Sequence, residues 1–281
     1  MITDSELQQF EQDGTVTVDT PLTKQALEDA SCLMDQLLPL SADERNLAEG
    51  TPQRYRIGRN QPLELPFVRI IEHAFFELLA MRLLHTDSVV INTTAIRNTH
   101  PQPGAKFEIG EHTDMTLGLT DLTSTPRRMN VGLFVWITDV DETSAPLMVR
   151  PGSHRQLAQS MGNRPQYIYG PWEKDQFANV PDAHTLPIAH IGRFPDQWPD
   201  LEFAEPVPCV ARAGQVTVLN PATIHGASTN VGQTRRKSLL IIMQPRSIDL
   251  GESRDRCKNR RAYLAELTRV LAPDRRPIAM M

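Results

Sequence analysis

From residue 88 onward the chain is built of short runs in which β-branched or large apolar residues alternate with others: "SVVINTTAIRN", "VGLFVWITDV", "PLMVRPG", "VPCVAR", "GQVTVLN" and "KSLLIIMQP", separated by Gly, Pro, Asn and Asp. An extended backbone sends successive side chains to opposite faces, so each run reads as a strand with one face on a core. Strands this short and this often interrupted by turns suit a jelly roll or closed barrel of antiparallel sheet. Upstream the period changes. "TDSELQQFEQDG" is a helix that Thr3 or Asp4 can cap and Gly14 can stop, "TVTV" at 15–18 is a short strand, and "PLTKQALEDASCLMDQLL" (21–38) is a second helix. "PFVRIIEHAFFELLAMRLL" (66–84) reads as one long helix opened by Pro66, and "KNRRAYLAELTRVL" (258–271) as an amphipathic terminal helix. Helices first and strands afterwards predict an α+β chain, with an antiparallel core and the N-terminal helices packed outside it.

With 281 residues and 40% hydrophobic side chains, the chain supplies a core for a single domain over 1–281. A net charge of −5 gives no broad basic field, which argues against nucleic acid or an anionic membrane as partner. Cys32, Cys209 and Cys257 are odd in number and far apart, fitting reduced thiols in a cytoplasm and neither a disulfide framework nor a zinc motif. "MITDSELQQFEQDG" lacks the basic-then-apolar order of a signal peptide, and no apolar run reaches membrane-spanning length. The expectation is a cytoplasmic protein with a small-molecule substrate; its oligomeric state is not readable. Residues 156–206 break the β pattern with many prolines and with Tyr167, Tyr169, Trp172, Phe177, Phe194 and Trp198. The stretch is far longer than an ordinary connection and too aromatic for disorder. It reads as a lid insertion, with a surface excursion or a dimer contact as the alternative.

The tripeptide His-Thr-Asp occurs twice. His85 and Asp87 follow the last apolar turn of the 66–84 helix, where an imidazole near the carbonyl end and an Asp at a turn need no further explanation. His112 and Asp114 instead lie between β-type runs, where an extended backbone sends both side chains to one face. Two imidazoles and a carboxylate on one face of a cation leave positions open on ferrous iron. His225, in "VLNPATIHGAS" after an apolar strand and a turn, is the candidate third ligand. If 235–244 is a strand antiparallel to the one carrying His225, Arg236 approaches the metal from the opposite wall. Its planar fork can grip a carboxylate, and Ser238, on the same strand face, can add a hydroxyl. A dicarboxylate chelating iron at one end and held by arginine at the other would be 2-oxoglutarate.

These residues resemble non-haem iron, 2-oxoglutarate-dependent oxygenases of the phytanoyl-CoA dioxygenase type. The matching elements are "HTD" at 112–114, "VWITDVDETSAPLMVRPGSHR" at 135–155, His225 with Gly226, and Arg236-Lys237-Ser238. The second is the most specific, because its ordered pattern is long. The resemblance runs from about residue 3 to 245 and fails in 156–206. It implies a double-stranded β-helix, a jelly roll with helices buttressing one sheet. It further implies Fe(II) held by His112, Asp114 and His225, the distal carboxylate of 2-oxoglutarate held by Arg236 and Ser238, and Trp136 lining the cosubstrate pocket. Asn92 and Thr94 are carried over as further cosubstrate contacts.

Two positions depart from the family pattern, Thr113 where relatives often have Gln, and Ala227 where a hydroxyl is common. His154, a ligand by residue type, falls in a segment that the resemblance assigns to a structural turn. The implied reaction consumes O2 and 2-oxoglutarate, releases succinate and CO2, and hydroxylates a C–H bond; an intact Asp114 favours that outcome over halogenation. Arg54, Arg56 and Arg59 in "QRYRIGRN" can meet an anionic substrate or form a solvated charged loop, and Arg150 and Arg155 pose the same choice. The alternatives are a β-barrel metalloenzyme that does not use 2-oxoglutarate, which has no need of an arginine clamp, and a non-catalytic jelly-roll module, which has no need of three convergent ligands.

Overall fold

The structure is a computed structural model that describes residues 2–40, 56–115, 117–161, 200–250 and 254–280. Its strands are β1 (Thr15–Asp19), β2 (Arg56–Asn60), β3 (Val89–Thr99), β4 (Ile109–His112), β5 (Val131–Trp136), β6 (Leu147–Val149), β7 (Val207–Cys209), β8 (Gln215–Leu219), β9 (His225–Ser228) and β10 (Arg236–Pro245). They form two sheets in which every pairing is antiparallel, a six-stranded one in the order β1-β8-β5-β10-β3-β2 and a four-stranded one in the order β4-β9-β6-β7. The helices are α1 (Asp4–Asp13), α2 (Lys24–Leu37), α3 (Leu65–Ile71), α4 (Ala74–Leu83), α5 (Leu119–Thr123), α6 (Ser153–Met161) and α7 (Arg254–Val270). Among the described residues no helix is long and apolar enough to cross a membrane.

Period-two alternation divides each strand of the large sheet between two environments. On β10, Leu239, Ile241 and Met243 enter the main core. There they meet Val131, Leu133 and Val135 of β5, Val216 and Val218 of β8, and the apolar faces of the helices: Met34 of α2, Phe67 and Ile70 of α3, Phe76 and Leu83 of α4. Each of these large side chains contributes about 1.5–3 kcal/mol by leaving water. The intervening residues of β10, Arg236, Ser238, Leu240 and Ile242, face the space between the sheets. A smaller apolar cluster of Trp136, Leu219, Leu147, Val149 and Cys209 closes one end of that space, its members drawn from both sheets.

Local signals account for the helix ends. Thr3 caps α1 through a reciprocal capping box with Glu6, and Gly14 stops it at φ 78°, a left-handed conformation suited to glycine. The 66–84 segment, expected as one helix, is two. His73 takes an extended ψ of 125°, and its ring accepts the Phe75 N–H to cap α4, breaking the helix where its apolar period continues. Helix α6 was not expected and occupies the first residues of the 156–206 segment, whose central part, with its aromatic residues, lies outside the described residues, as does Arg54. None of the three cysteines is in a disulfide.

His154, on the first turn of α6, is buried and packs at Gly14, where a Cβ would lie 2.6 Å from its Nδ1. Burial lowers its pKa to about 4; a hydrogen bond with the Glu11 backbone opposes the shift, and Arg155 and Arg127 add to it. Because this folded pKa lies below the unfolded value of 6.5, the unfolded chain binds the proton first. Stability therefore falls as pH drops from about 6.5 to 4, by on the order of 3 kcal/mol from this residue. Urea unfolding across that range should give a shallower dependence on pH for His154→Gln than for the parent.

Candidate metal centre

Strands β4 and β9 pair so that His112 and His225 are direct partners. The strands approach so closely that a Cβ on Gly226 would lie 2.5 Å from the Gly110 carbonyl oxygen, which only glycine permits without movement. Each imidazole is held by its own strand: His112 Nδ1 lies 2.9 Å from the Gly110 carbonyl, and His225 Nδ1 lies 2.8 Å from that of Thr223. A carbonyl only accepts, so Nδ1 carries the hydrogen in both rings and the Nε2 lone pairs are left for another partner. The chain turns after β4, where Asp114 donates its backbone N–H to the Pro221 carbonyl at 2.8 Å. Its two carboxylate oxygens then lie 3.5 Å from His112 Nε2 and 3.6 Å from His225 Nε2.

Two neutral nitrogens and one anionic oxygen thus converge, all within 4.8 Å of one another, the only such group of metal-ligating side chains among the described residues. The set fits a divalent first-row metal with open positions. Electrostatics treat the two rings differently. Burial, and then the neighbouring His112, lower the pKa of His225 to about 4 and keep its ring neutral. Burial also opposes charge on His112, but the Asp114 carboxylate outweighs it and raises the pKa above the ordinary value.

Across a cavity of about 300 Å³ stands the inner face of the large sheet. Its cross-strand rows follow from the register: Arg56, Thr99 and Arg236 in one, Gly58, Arg97, Ser238 and Trp136 in the next, then Asn60, Ala95, Leu240 and Phe134. Arg236 is buried, donates to the Ala145 carbonyl and to Thr99 Oγ1, and keeps an unpartnered Nε. Burial, then Arg56 and Arg97, lower its pKa to about 9, and no carboxylate among the described residues neutralises it. A buried guanidinium in that state is a receptor for an anion.

His112, Asp114, His225, Arg236 and Ser238 all line this one cavity, as does Ala227. The other expectations need correction. Trp136 lies behind Arg236, its ring centroid 5.7 Å from the guanidinium carbon and its indole N–H donated to Thr217, so it supports the arginine and does not line the cavity. The Asn92 amide is hydrogen-bonded to Gln244, and Thr94 Oγ1 to Tyr263 of α7. Asn92 does not line the cavity, whereas Thr94 borders it with Thr93, Ala95 and Arg97 although its hydroxyl is taken up by Tyr263; a bulge opposite Ile242/Met243 shifts the register at the start of β3. β10 pairs with β3 and β5, not with the strand of His225, and faces that strand from the opposite sheet. His154 and His85 lie in a separate depression. Arg59 is paired with Glu64 and Arg150 with Glu111. Arg97 was missed, and its inward parity with Ser238 was the signal that could have found it.

The sequence profile described as phytanoyl-CoA dioxygenase (PhyH) matches residues 10–238. An ectoine dioxygenase of Bordetella bronchiseptica is 30% identical over 109 residues, 38% of this chain and 32% of the relative, so this chain aligns with about a third of that protein's length. An ectoine dioxygenase of Nocardia farcinica is 23% identical over 242 residues, 84% of this chain and 76% of the relative. Among solved structures, the epimerase SnoN in complex with Fe3+, alpha ketoglutarate and nogalamycin RO is 15% identical with a TM-score of 0.58, covering 89% of this chain and 87% of its own. EctD from S. alaskensis with 2-oxoglutarate and 5-hydroxyectoine is 17% identical with a TM-score of 0.54, covering 87% and 76%. At these identities the structural likeness establishes the fold, a jelly roll of the cupin-like kind.

Removing one ligand with Asp114→Ala or His225→Ala should abolish stoichiometric Mn(II) binding in calorimetric titration. Gly226→Ala, which forces β9 away from Gly110, should weaken it by about 10–100-fold, as loss of a supporting contact does.

Proposed function

Because this chain belongs to the phytanoyl-CoA dioxygenase family, we propose that it is an Fe(II)- and 2-oxoglutarate-dependent dioxygenase that hydroxylates an unactivated C–H bond of a small molecule. The observation that carries this reading is the facing of two donor sets across one cavity, His112, Asp114 and His225 on one wall and Arg236 with Ser238 on the other. A keto-diacid is matched to both sets: its keto-acid end suits a cation with open positions, and its far carboxylate suits a planar guanidinium.

In this reading each side chain has a definite task. His112 and His225 bind iron through Nε2, with tautomer and ring orientation already set by the Gly110 and Thr223 carbonyls. Asp114 supplies the anionic ligand and occupies the position that a halide would need. Arg236 holds the distal carboxylate through its unpartnered Nε side, with Ser238 offering a hydroxyl from the adjacent row. Trp136 behind the guanidinium keeps it in place. Bound iron and 2-oxoglutarate supply the oxidising chemistry with O2, with succinate and CO2 as coproducts. Ala95, Phe134, Leu147, Leu240 and Ile242 give the cavity an apolar wall that keeps water from the reacting centre.

Succinate formation from 2-oxoglutarate with added Fe(II) and ascorbate tests the reading, alongside 2-oxoglutarate binding, since turnover without the prime substrate is slow. Wild type should bind and turn over. Asp114→Ala should be inactive, and Arg236→Ala should raise the KM for 2-oxoglutarate about 10- to 100-fold, the worth of a charge-assisted contact. A wild-type protein with neither turnover nor binding would sink the assignment. An epimerase shares this fold, so hydroxylation itself is judged by product mass: a product without an oxygen atom from O2 overturns it.

A further inference from the structure

We propose that the prime substrate carries an anionic group, a carboxylate or a phosphate, which docks between Arg56 and Arg97 with its apolar body against Ala95, Phe134 and Leu240. The inference rests on the function proposed above and names the class of substrate that the same cavity would take.

It begins from charge. Among the described residues lining the cavity, three are arginines, Arg56, Arg97 and Arg236, and the sole acid is Asp114. Iron(II) and one guanidinium bring three positive charges; Asp114 and the two carboxylates of 2-oxoglutarate bring three negative ones. The metal, the cosubstrate and Arg236 therefore balance among themselves. Asp114 also acts on Arg56, but as a metal ligand it is already counted in that balance, so Arg56 and Arg97 remain uncompensated in a partly enclosed space.

Their partners are insufficient to neutralise them. Arg97 donates to the Ile96 carbonyl at 3.0 Å and to the Asn60 side-chain oxygen at 3.2 Å, both uncharged. Neither arginine is ion-paired with a carboxylate among the described residues, whereas Arg59, on the outward face of the same strand, is paired with Glu64. Burial, followed by the charge of Arg56, lowers the pKa of Arg97 to about 10. Like charges held together in this way are relieved by an anion between them.

The backbone gives Arg97 its place. Gly58 is its direct partner on β2, and a Cβ there would lie 2.4 Å from Arg97 Cδ and 2.9 Å from its Nε. The side chain therefore lies across a strand position that only glycine leaves open. Arg56 stands one row away on the same inward face, beside Thr99. The two guanidiniums thus border the cavity on the β2 edge, and the apolar row begins next to them.

The test is calorimetric titration of the protein loaded with Mn(II) and 2-oxoglutarate, using benzoate, phenyl phosphate and benzamide, which share a ring and differ in head group. Benzoate or phenyl phosphate should bind at least tenfold tighter than benzamide, and whichever is tighter identifies the head group. Arg97→Gln should cut anion affinity about tenfold or more. Gly58→Ala should do so as well while retaining every charge, because it displaces the Arg97 side chain. The unfolding midpoint of each variant confirms that it is folded. Saturable binding of neither anion, benzamide binding as tightly as both, or anion affinity unchanged in both variants overturns the inference. Failure of the wild type to take up 2-oxoglutarate at the loading step instead overturns the proposed function.

Discussion

The pairing of β4 with β9 is the constraint on which the candidate site depends. It places two histidines more than a hundred residues apart directly opposite each other, and their Nδ1 positions are fixed by carbonyls of their own strands. A slip of one residue would turn one imidazole to the other face, because side chains alternate with a period of two. The glycine at 226 allows the backbones to approach closely enough for that register. Asp114 completes the set because the chain leaves β4 through a hydrogen bond to Pro221, in the turn that leads into β9.

The large sheet performs two jobs with alternate residues of the same strands. On β10 the odd positions 239, 241 and 243 seal the helix-covered core, and the even positions 236, 238, 240 and 242 build the cavity wall. Lys237 belongs to the odd set, and its ammonium reaches Asp35 and Ser31 of α2. Core and site are thus mechanically coupled. The charged inner rows are costly, because burial denies Arg97 and Arg236 water and the neighbouring arginines further disfavour their charge. Their mutual repulsion is held in place by packing on the opposite face of the sheet.

Much of this was legible in the sequence. The β-type runs after residue 88, the N-terminal helices and the "HTD" at 112–114 all express local periodicity or local chemistry; the strands appear where those patterns put them, and His112 and Asp114 converge with His225. The two "HTD" copies differ in the same local way: one follows a helix and the other ends a strand. What failed was parity and pairing. The Asn92 amide and the Thr94 hydroxyl are taken up by Gln244 and Tyr263, near a bulge at the start of β3 that resets the alternation, and a bulge leaves little trace in a sequence. The break at His73 was hidden because the apolar spacing of α3 continues in α4 while a side-chain cap interrupts the backbone. "QRYRIGRN" has too little apolar character to be distinguished from a charged loop, yet β2 forms from its second half by borrowing the edge of β3.

By itself the sequence determined the inventory: an α+β chain, two imidazoles and a carboxylate with the spacing of ligands, and an arginine and a serine on one strand face. Those follow from near-neighbour geometry, which a linear pattern records. Only the tertiary structure decided which residues share a space. It brought Arg56 and Arg97 into the cavity of Arg236, seated Arg97 over Gly58, and moved Trp136 behind the guanidinium. Such contacts depend on which strands become neighbours and in what register, and that is settled by burial of the whole core at once, a property no single segment carries.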